Sequence, residues 1–445
     1  MKKILLIYLP FCTPASPPYS LTNLYSFLKA NSKHKIDILD LNLEFHKIKF
    51  PKYHEYYKKG KWNDYAEVTA EFKKLCSKAY SENNKKVVLG KKPELLNKLV
   101  KQIKDKKPDI VAFSIVYSSQ AFYAHSIMKE LKDIECVIGG PAVNDKLRKV
   151  ADKTLKNELE FLEYINKTKN DKLKFNYTTD FSVYKLNDYF SPCAVIPIKT
   201  SSTCYYKKCA FCSHFTDIPY CEYPLKTIKE TILLSKQNHL FVIDDMIHAK
   251  RLLEIAEMLK PLKVKWTCQL KPTKEFTIDV LKKLKESGLR MIMWGVESGN
   301  NRILKLMNKG TNKKDVIKVL ENAKKVGIAN IAYMLYGFPS ETKEEFIETM
   351  EFLKDNEKNI DLVSSSIFGL QKDTAIYKNP RKFGITKINK EKRTILEPKI
   401  SYEVKKGLTQ KQANKLRDKY KKTINKINKY PKEMNYFREH MLSLV

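Results

Sequence analysis

The sequence contains no apolar stretch of about 18 residues, the length a membrane-spanning helix needs, so no membrane span is expected. It has no low-complexity tract and no internal repeat, which argues against a disordered chain or a solenoid. It lacks the even cysteine framework of a small secreted domain: there are nine cysteines in 445 residues. Three of them cluster and six are scattered, the usage of a reducing compartment with one metal site, so a cytoplasmic location is expected. Acidic residues are scarce: 50 against 84 basic ones, a net charge of +34. Such a balance favours acidic partners. Here the excess is mostly lysine, spread over the whole chain among many Asn and Ile residues, and reads as solvated faces. No aromatic-interleaved basic motif is present, so nucleic acid is not the expected partner. The start, two lysines and an apolar run, mimics a secretory signal, but Pro10 ends the run and Pro14, Pro17 and Pro18 crowd the place of a cleavage site. A buried first strand is expected instead.

What is present is alternation. The length predicts two or three domains, and 43% hydrophobic residues suffice for packed cores. In the N-terminal third, strands are predicted over residues 4–9, 35–41, 110–115 and 135–138. Helices are predicted over 20–30, with Ser20 as cap, and over 120–132. Alternating strands and helices imply a doubly wound, Rossmann-like parallel sheet over residues 1–150. A lysine- and tyrosine-rich helical insert occupies 45–109. Residues 151–190 are expected to be a linker. From 194 the alternation restarts, with strands over 194–199, 239–243, 264–270, 291–296, 330–336 and 362–369. Helices over 277–286, 313–326 and 343–355 fill gaps between them. These six units predict a partial (β/α)6 barrel over 191–385, with its active site at the carboxyl ends of the strands. Residues 386–445 are expected to form a small, mainly helical extension, with a charged helical stretch at 411–426.

Thr203-Cys204-Tyr-Tyr-Lys-Lys-Cys209-Ala-Phe211-Cys212-Ser-His214 follows directly on the first strand of this second set. The spacing is C-x4-C-x2-C. Three thiolates in nine residues can reach one centre, and soft sulfur ligands select an iron–sulfur cluster or zinc. A [4Fe–4S] cube with three protein ligands leaves one iron open to a cofactor. A structural zinc site would need a fourth ligand, and His214 or Cys221 would serve.

The loop and three later segments together resemble the radical S-adenosylmethionine superfamily, in particular its branch with an N-terminal cobalamin-binding-like domain. Phe211 matches the aromatic residue that precedes the family's last cysteine, while the first gap is one residue longer than the commonest C-x3-C. Trp294-Gly-Val-Glu297-Ser298-Gly299 through Arg302, Met307, Lys309 and Gly310 is similar to the family's G-x-E-S-G…R-x-L…M-x-K-G segment. Gly337-Phe-Pro339-Ser-Glu341-Thr342 is similar to its G-F-P-x-E-T turn, and Asp244-Asp245 sits where this branch carries an acidic turn. The resemblance covers residues 195–384.

The resemblance implies that Cys204, Cys209 and Cys212 ligate a [4Fe–4S] cluster whose open iron binds the methionine end of S-adenosylmethionine. One electron then breaks the bond to the 5′-carbon. It implies a cofactor site of Phe211, Asp244, Glu297, Ser298, Arg302 and Gly337. Asp244, or Asp245 in its place, would accept the cofactor's ammonium; the alternative is a loop carboxylate capping the next helix. Glu297 would hold the ribose diol. Arg302 would pair with the cofactor carboxylate, or else form a surface ion pair with Glu297. Gly337 would admit adenine, or simply make a tight turn. Lys271-Pro272, Tyr336 and His214 are candidates for the substrate side.

In the N-terminal third, Pro17-Pro18-Tyr19-Ser20-Leu21, Val111–Ser114 with Gln120, and Val137-Ile-Gly139-Gly140-Pro141 resemble segments of the cobalamin-binding-like domain. Its ligand would lie beyond the carboxyl ends of the strands. No Asp-x-His-x-x-Gly follows the first strand, so no histidine would ligate cobalt from below. With cobalamin, the implied reaction is methyl transfer to an unactivated carbon of a peptide or small metabolite, with flavodoxin or ferredoxin as electron donor. Without it, a tRNA methylthiotransferase is the competing reading, needing a second cluster from Cys12, Cys76 and Cys136. A non-catalytic, metal-bearing nucleic-acid binder accounts for the charge and the cysteines, but not for the Glu297 and Gly337 segments.

Overall fold

The computed structural model describes residues 1–60, 62–168, 173–213 and 218–444. The chain divides into two compact units. The first comprises residues 1–197, 226–237 and 392–398; the second comprises 198–225, 238–391 and 399–445.

The first unit begins with β1 (Lys3–Tyr8), α1 (Tyr19–Asn31) and β2 (Lys35–Asp40). The insert follows as α2 (Leu41–Lys49), α3 (Pro51–Lys59), α4 (Tyr65–Val88) and α5 (Leu96–Asp105). The alternation resumes with β3 (Ile110–Ser114), α6 (Ala121–Glu130), β4 (Glu135–Gly139), α7 (Asp145–Arg148), β5 (Lys153–Leu155) and α8 (Glu158–Asn166). The sheet order is β2-β1-β3-β4-β5, all parallel. β1 is apolar on both faces because helices cover both, as its continuous run of apolar residues requires. Ile4, Leu6, Phe27, Ile110 and Leu162 belong to one core, with Phe161 and Ile165 of α8 packed into it. Residues 151–190, expected as a linker, therefore hold β5 and α8. A three-residue strand falls below what periodicity can register. Ser20 does not cap α1; the helix starts behind Pro18, with no side-chain cap, because proline already fixes the entry dihedral.

In the second set of strands, β6 (Val195–Ile198), α9 (Leu225–Ser235), β7 (His239–Val242), α10 (Ala249–Leu259) and β8 (Lys265–Leu270) come first. They are followed by α11 (Ile278–Glu286), β9 (Leu289–Glu297), α12 (Asn301–Leu306), α13 (Lys313–Lys325), β10 (Ala329–Tyr336), α14 (Lys343–Asp355) and β11 (Leu362–Ile367). The sheet order is β11-β10-β9-β8-β7-β6, and β7 through β11 pair parallel. This is the partial barrel. The strand-edge amide of Asn330 shows how helices are pinned to it: it donates to Leu320 O of α13 and accepts from the Trp294 indole at 2.8 Å. All ten expected strands are present, with ends displaced by one or two residues. The C-terminal extension is not purely helical. After α15 (Ala375–Lys378) come an antiparallel pair, β12 (Ile385–Glu391) and β13 (Lys399–Val404), and then α16 (Gln410–Lys419), α17 (Lys421–Ile427) and α18 (Met441–Leu444). No helix among the described residues is long and apolar enough to cross a membrane.

Candidate active site

The carboxyl ends of β6 to β10 carry the sequence-predicted residues. The end of β6 runs into the cysteine loop. Asp244, just past β7, is 1% exposed and clamps the start of that loop, accepting from Thr200 N at 2.8 Å and Ser201 Oγ at 2.5 Å. Burial pushes its carboxyl up, while those two donors and Lys199 pull it down. Asp244 thus structures its own loop, and Asp245, half-buried beside it, is the more accessible carboxylate of the pair.

None of Cys204, Cys209 and Cys212 takes part in a disulfide, and each is partly exposed. The four-residue gap after Cys204 turns through Lys207 in the left-handed region, at φ 50°. The loop is docked on the turn that follows α12. Ala210 N donates to Met307 O at 2.8 Å, Asn308 Nδ2 to Lys208 O at 2.8 Å, and Tyr206 Oη to Asn308 O at 2.8 Å. The hydroxyl end of Tyr206 packs against Gly310, whose φ is +69° and where a Cβ would collide with that hydroxyl. The M-x-K-G segment is therefore the platform of the cysteine loop.

At the end of β9 a register shift against β10 falls between Tyr333 and Met334, opposite Gly295 and Glu297. Glu297 adopts φ 68°, a conformation that costs a glutamate about 1–3 kcal/mol and marks a constrained position. Its carboxylate accepts from Lys309 Nζ at 2.8 Å. Lys309 is 7% exposed and lies 5.8 Å from the centre of the Phe211 ring. Desolvation works against its charge, but Glu297 and then Cys209 hold its pKa above the usual lysine value. Gly295 makes room: a Cβ there would meet Lys309 Nζ at 2.7 Å. Lys309 was legible only as part of a motif; the signal for its role is that α12 brings the chain back to Glu297 twelve residues later.

Lys271, past β8, is 6% exposed, and its Nζ sits 3.2 Å from the centre of the Tyr206 ring. Burial lowers its pKa, Cys209 raises it and Lys309 lowers it, so both lysines lie within the field of the loop thiols. Pro272 O accepts from Thr311 Oγ1 at 2.6 Å, tying this strand end to the same platform.

Three further predicted cofactor residues, Ser298, Arg302 and Gly337, make local contacts. Ser298 is buried; its hydroxyl pairs with Thr349 Oγ1 at 3.2 Å and accepts from Asn300 N at 3.1 Å, holding the entry of α12. Arg302 forms no pair with Glu297; its guanidinium bonds to Glu345 and Ser340 on an exposed flank. Glu345 is held there because it completes the capping box of α14 with Thr342. Gly337 has φ +71° and donates its N–H to Glu341 Oε2 at 2.5 Å. Burial pushes the Glu341 carboxyl up to about 7. Tyr336 is buried against Phe346 of α14, on the helix side of β10 and away from the cysteine loop. His214 lies outside the described residues, and Cys221, the other proposed zinc ligand, is exposed, its thiol directed to Glu222 O. Among the described residues no three His, Cys, Asp or Glu side chains stand close enough to share a single metal ion. Cys76 on α4 and Cys136 on β4 are buried in their elements, while Cys12 accepts from the Tyr8 hydroxyl.

The donor set fits a cluster. The three thiols share one loop, and those of Cys212 and Cys204 are near enough to raise the pKa of Cys209, which burial also raises and Lys309 lowers. Soft sulfur donors of this number match an iron–sulfur centre with one open corner.

Residues 198–353 match the radical SAM superfamily. An uncharacterized methyltransferase of Pyrococcus horikoshii is 33% identical over 110 residues, 24% of each chain. A ribosomal protein uS12 methylthiotransferase of Clostridium botulinum is 29% identical over 203 residues, 43% of this chain and 44% of that one. The matched region thus spans about a quarter to under a half of these relatives' length. Among solved structures, the cobalamin-dependent radical enzyme OxsB superposes with a TM-score of 0.63 at 14% identity, over 100% of this chain and 72% of that one. The methyltransferase TsrM of Kitasatospora setae gives 0.57 at 13% identity, over 89% and 80%. At those identities the likeness shows the shared fold. The superfamily uses a [4Fe–4S] cluster and S-adenosylmethionine, and the match over the second strand set shows that this chain carries a radical SAM domain at residues 198–353.

Proposed function

We propose that the chain cleaves S-adenosylmethionine reductively at a cluster on Cys204, Cys209 and Cys212 and methylates an unactivated carbon of a peptide or small metabolite with the help of cobalamin. The observation that carries the first part is the docking of the cysteine loop on residues 307–310, which sets Phe211, Lys309 and Glu297 side by side. Cys204, Cys209 and Cys212 would hold the cluster, which when bound would supply the one electron needed for reductive cleavage of the cofactor's sulfonium. Glu297, fixed by Lys309, accepts the hydroxyls of the ribose diol. Asp245 receives the cofactor's ammonium, Asp244 being occupied with Thr200 and Ser201. Phe211 walls the loop side and excludes water.

The second part is supported by the order β2-β1-β3-β4-β5: in open sheets of this kind ligands bind beyond the carboxyl ends of the strands where the order reverses, here β1 and β3. At that edge Ser20 and Ser114 pair their hydroxyls at 3.2 Å, and the Gln120 amide bridges Leu9 O to Val116 N and Tyr117 N. These are neutral groups suited to the amide-rimmed face of a corrin. OxsB and TsrM, which share the fold, were solved with cobalamin. The electron comes from a small low-potential donor such as flavodoxin or ferredoxin.

The test is anaerobic titration of the cluster-loaded protein with hydroxocobalamin, followed by gel filtration. Corrin absorbance that travels with the protein at one per chain supports the reading. Protein that emerges without it removes the cobalamin part. Iron for two clusters would then move the assignment to a methylthiotransferase built on Cys12, Cys76 and Cys136.

A further inference from the structure

The cations around the cysteine loop are not equivalent. Lys309 is neutralised by Glu297 at 2.8 Å. Lys207 and Lys208 lie on the outer side of the loop, where solvent screens them; the Lys207 ammonium bonds to Ile218 O. Lys271 is different. It is buried, its ammonium rests on the face of Tyr206, and no carboxylate pairs with it among the described residues. Its backbone is fixed as well: Lys271 N donates to Met246 Sδ at 3.0 Å, and Pro272 is held by Thr311. Tyr206 in turn is trapped between this ammonium and Gly310. The cysteine loop thus faces one rigid, desolvated ammonium that has no direct ion pair among the described residues and is countered only at longer range by Glu275 and by the thiols of Cys209 and Cys204.

We infer that Lys271 is a positioning residue for electron entry: its fixed charge stabilises the reduced state of the cluster, so that a donor can fill it. The inference rests on the assignment of Cys204, Cys209 and Cys212 as cluster ligands. The step it governs is a bare one-electron transfer: the donor, dithionite in vitro, loses one electron and the cluster gains it, with no bond made or broken. A cluster on three thiolates is anionic and becomes more so on reduction. A nearby cation in a low-dielectric wall favours the state with the extra charge. The aromatic face under the ammonium holds it in place without cancelling its charge, as a carboxylate would.

The experiment is a potentiometric titration followed by the electron paramagnetic resonance of the reduced cluster. It compares the wild type with Lys271→Met, Lys271→Gln, Lys271→Arg and Lys208→Met, each checked for iron and sulfide. At the potential where half the wild-type cluster is reduced, the ratio of reduced to oxidised cluster should fall about tenfold in Lys271→Met and Lys271→Gln, equivalent to about 59 mV for one electron. Lys271→Arg and Lys208→Met should stay within about twofold. Unchanged ratios in the neutral variants, or an equal fall in Lys208→Met, overturn the inference. Loss of iron from both neutral variants also overturns it and assigns Lys271 to loop packing. A wild type that holds no reducible four-iron cluster refutes the cluster assignment itself, which is a separate result.

Discussion

Both sheets present the carboxyl ends of parallel strands, yet the two edges differ in kind. In the five-stranded sheet the edge is closed by neutral groups: the Gln120 amide, the Ser20–Ser114 hydroxyl pair, Tyr8 on Cys12, and Asp40 capped by the Tyr189 hydroxyl at 2.9 Å. Burial raises the Asp40 carboxyl to about 6, against the pull of the Leu43 amide and the Tyr189 hydroxyl. In the six-stranded sheet the edge is ionic: Asp244, Lys271, the Glu297–Lys309 pair and three thiols occupy successive strand ends. One topology therefore supports two chemistries. The neutral edge suits a large ligand recognised by shape and amide hydrogen bonds, and the ionic edge suits a charged centre that exchanges electrons.

The sharpest way to break this contrast is at the ionic edge. Lys309→Met leaves Glu297 buried without its partner, and losing one member of such a pair costs about 3–5 kcal/mol. Denaturant unfolding should show that loss, and adding Glu297→Gln should recover much of it; a single variant as stable as the wild type would mean the pair is hydrated in solution. Glu341 gives a pH signature of similar size. Its folded pKa, about 7, lies above the usual value for a free glutamate. It therefore contributes stability that is present at low pH and lost as pH rises through about 7. A difference of this kind amounts to about 3 kcal/mol. Glu341→Gln should remove that fall, which runs from the free glutamate value, about 4.3, up to about 7, as read from melts across pH.

At the neutral edge, Gln120→Ala unpairs three backbone groups at once and should cost about 2–3 kcal/mol. It should also weaken cobalamin retention without changing nucleoside formation in its absence. Parallel losses of both would show that the two edges do not act separately. The smallest effect is expected at Arg302, whose ion pair with Glu345 is on the surface. Arg302→Ala should cost under about 1 kcal/mol and leave the affinity for S-adenosylmethionine within about threefold; a larger change in affinity would assign it to the cofactor site.

Strand placement was legible because runs such as residues 4–9 and 291–296 are long, apolar and bounded by turn residues. The cysteine loop was legible because ligand spacing is local in sequence. What escaped was whatever depends on partners. Arg302 and Ser298 lie in a motif, but their contacts are decided by α14, some forty residues later. Gly337 was legible as a tight spot, whereas Glu341, four residues on, is what holds it. Lys309 and Lys271 acquire their roles only when two strand ends meet one turn. The strand β5 and the pair β12–β13 were missed because short or exposed strands carry little periodic signal.

The central claim is that Cys204, Cys209 and Cys212 hold the centre that opens S-adenosylmethionine. It is tested most directly by anaerobic reconstitution with iron and sulfide, addition of dithionite and S-adenosylmethionine, and quantification of 5′-deoxyadenosine by mass spectrometry. The account predicts nucleoside from the wild type and none above background from Cys209→Ala. A wild type loaded with a four-iron cluster that makes no nucleoside, or a Cys209→Ala variant that makes as much as the wild type, would contradict it.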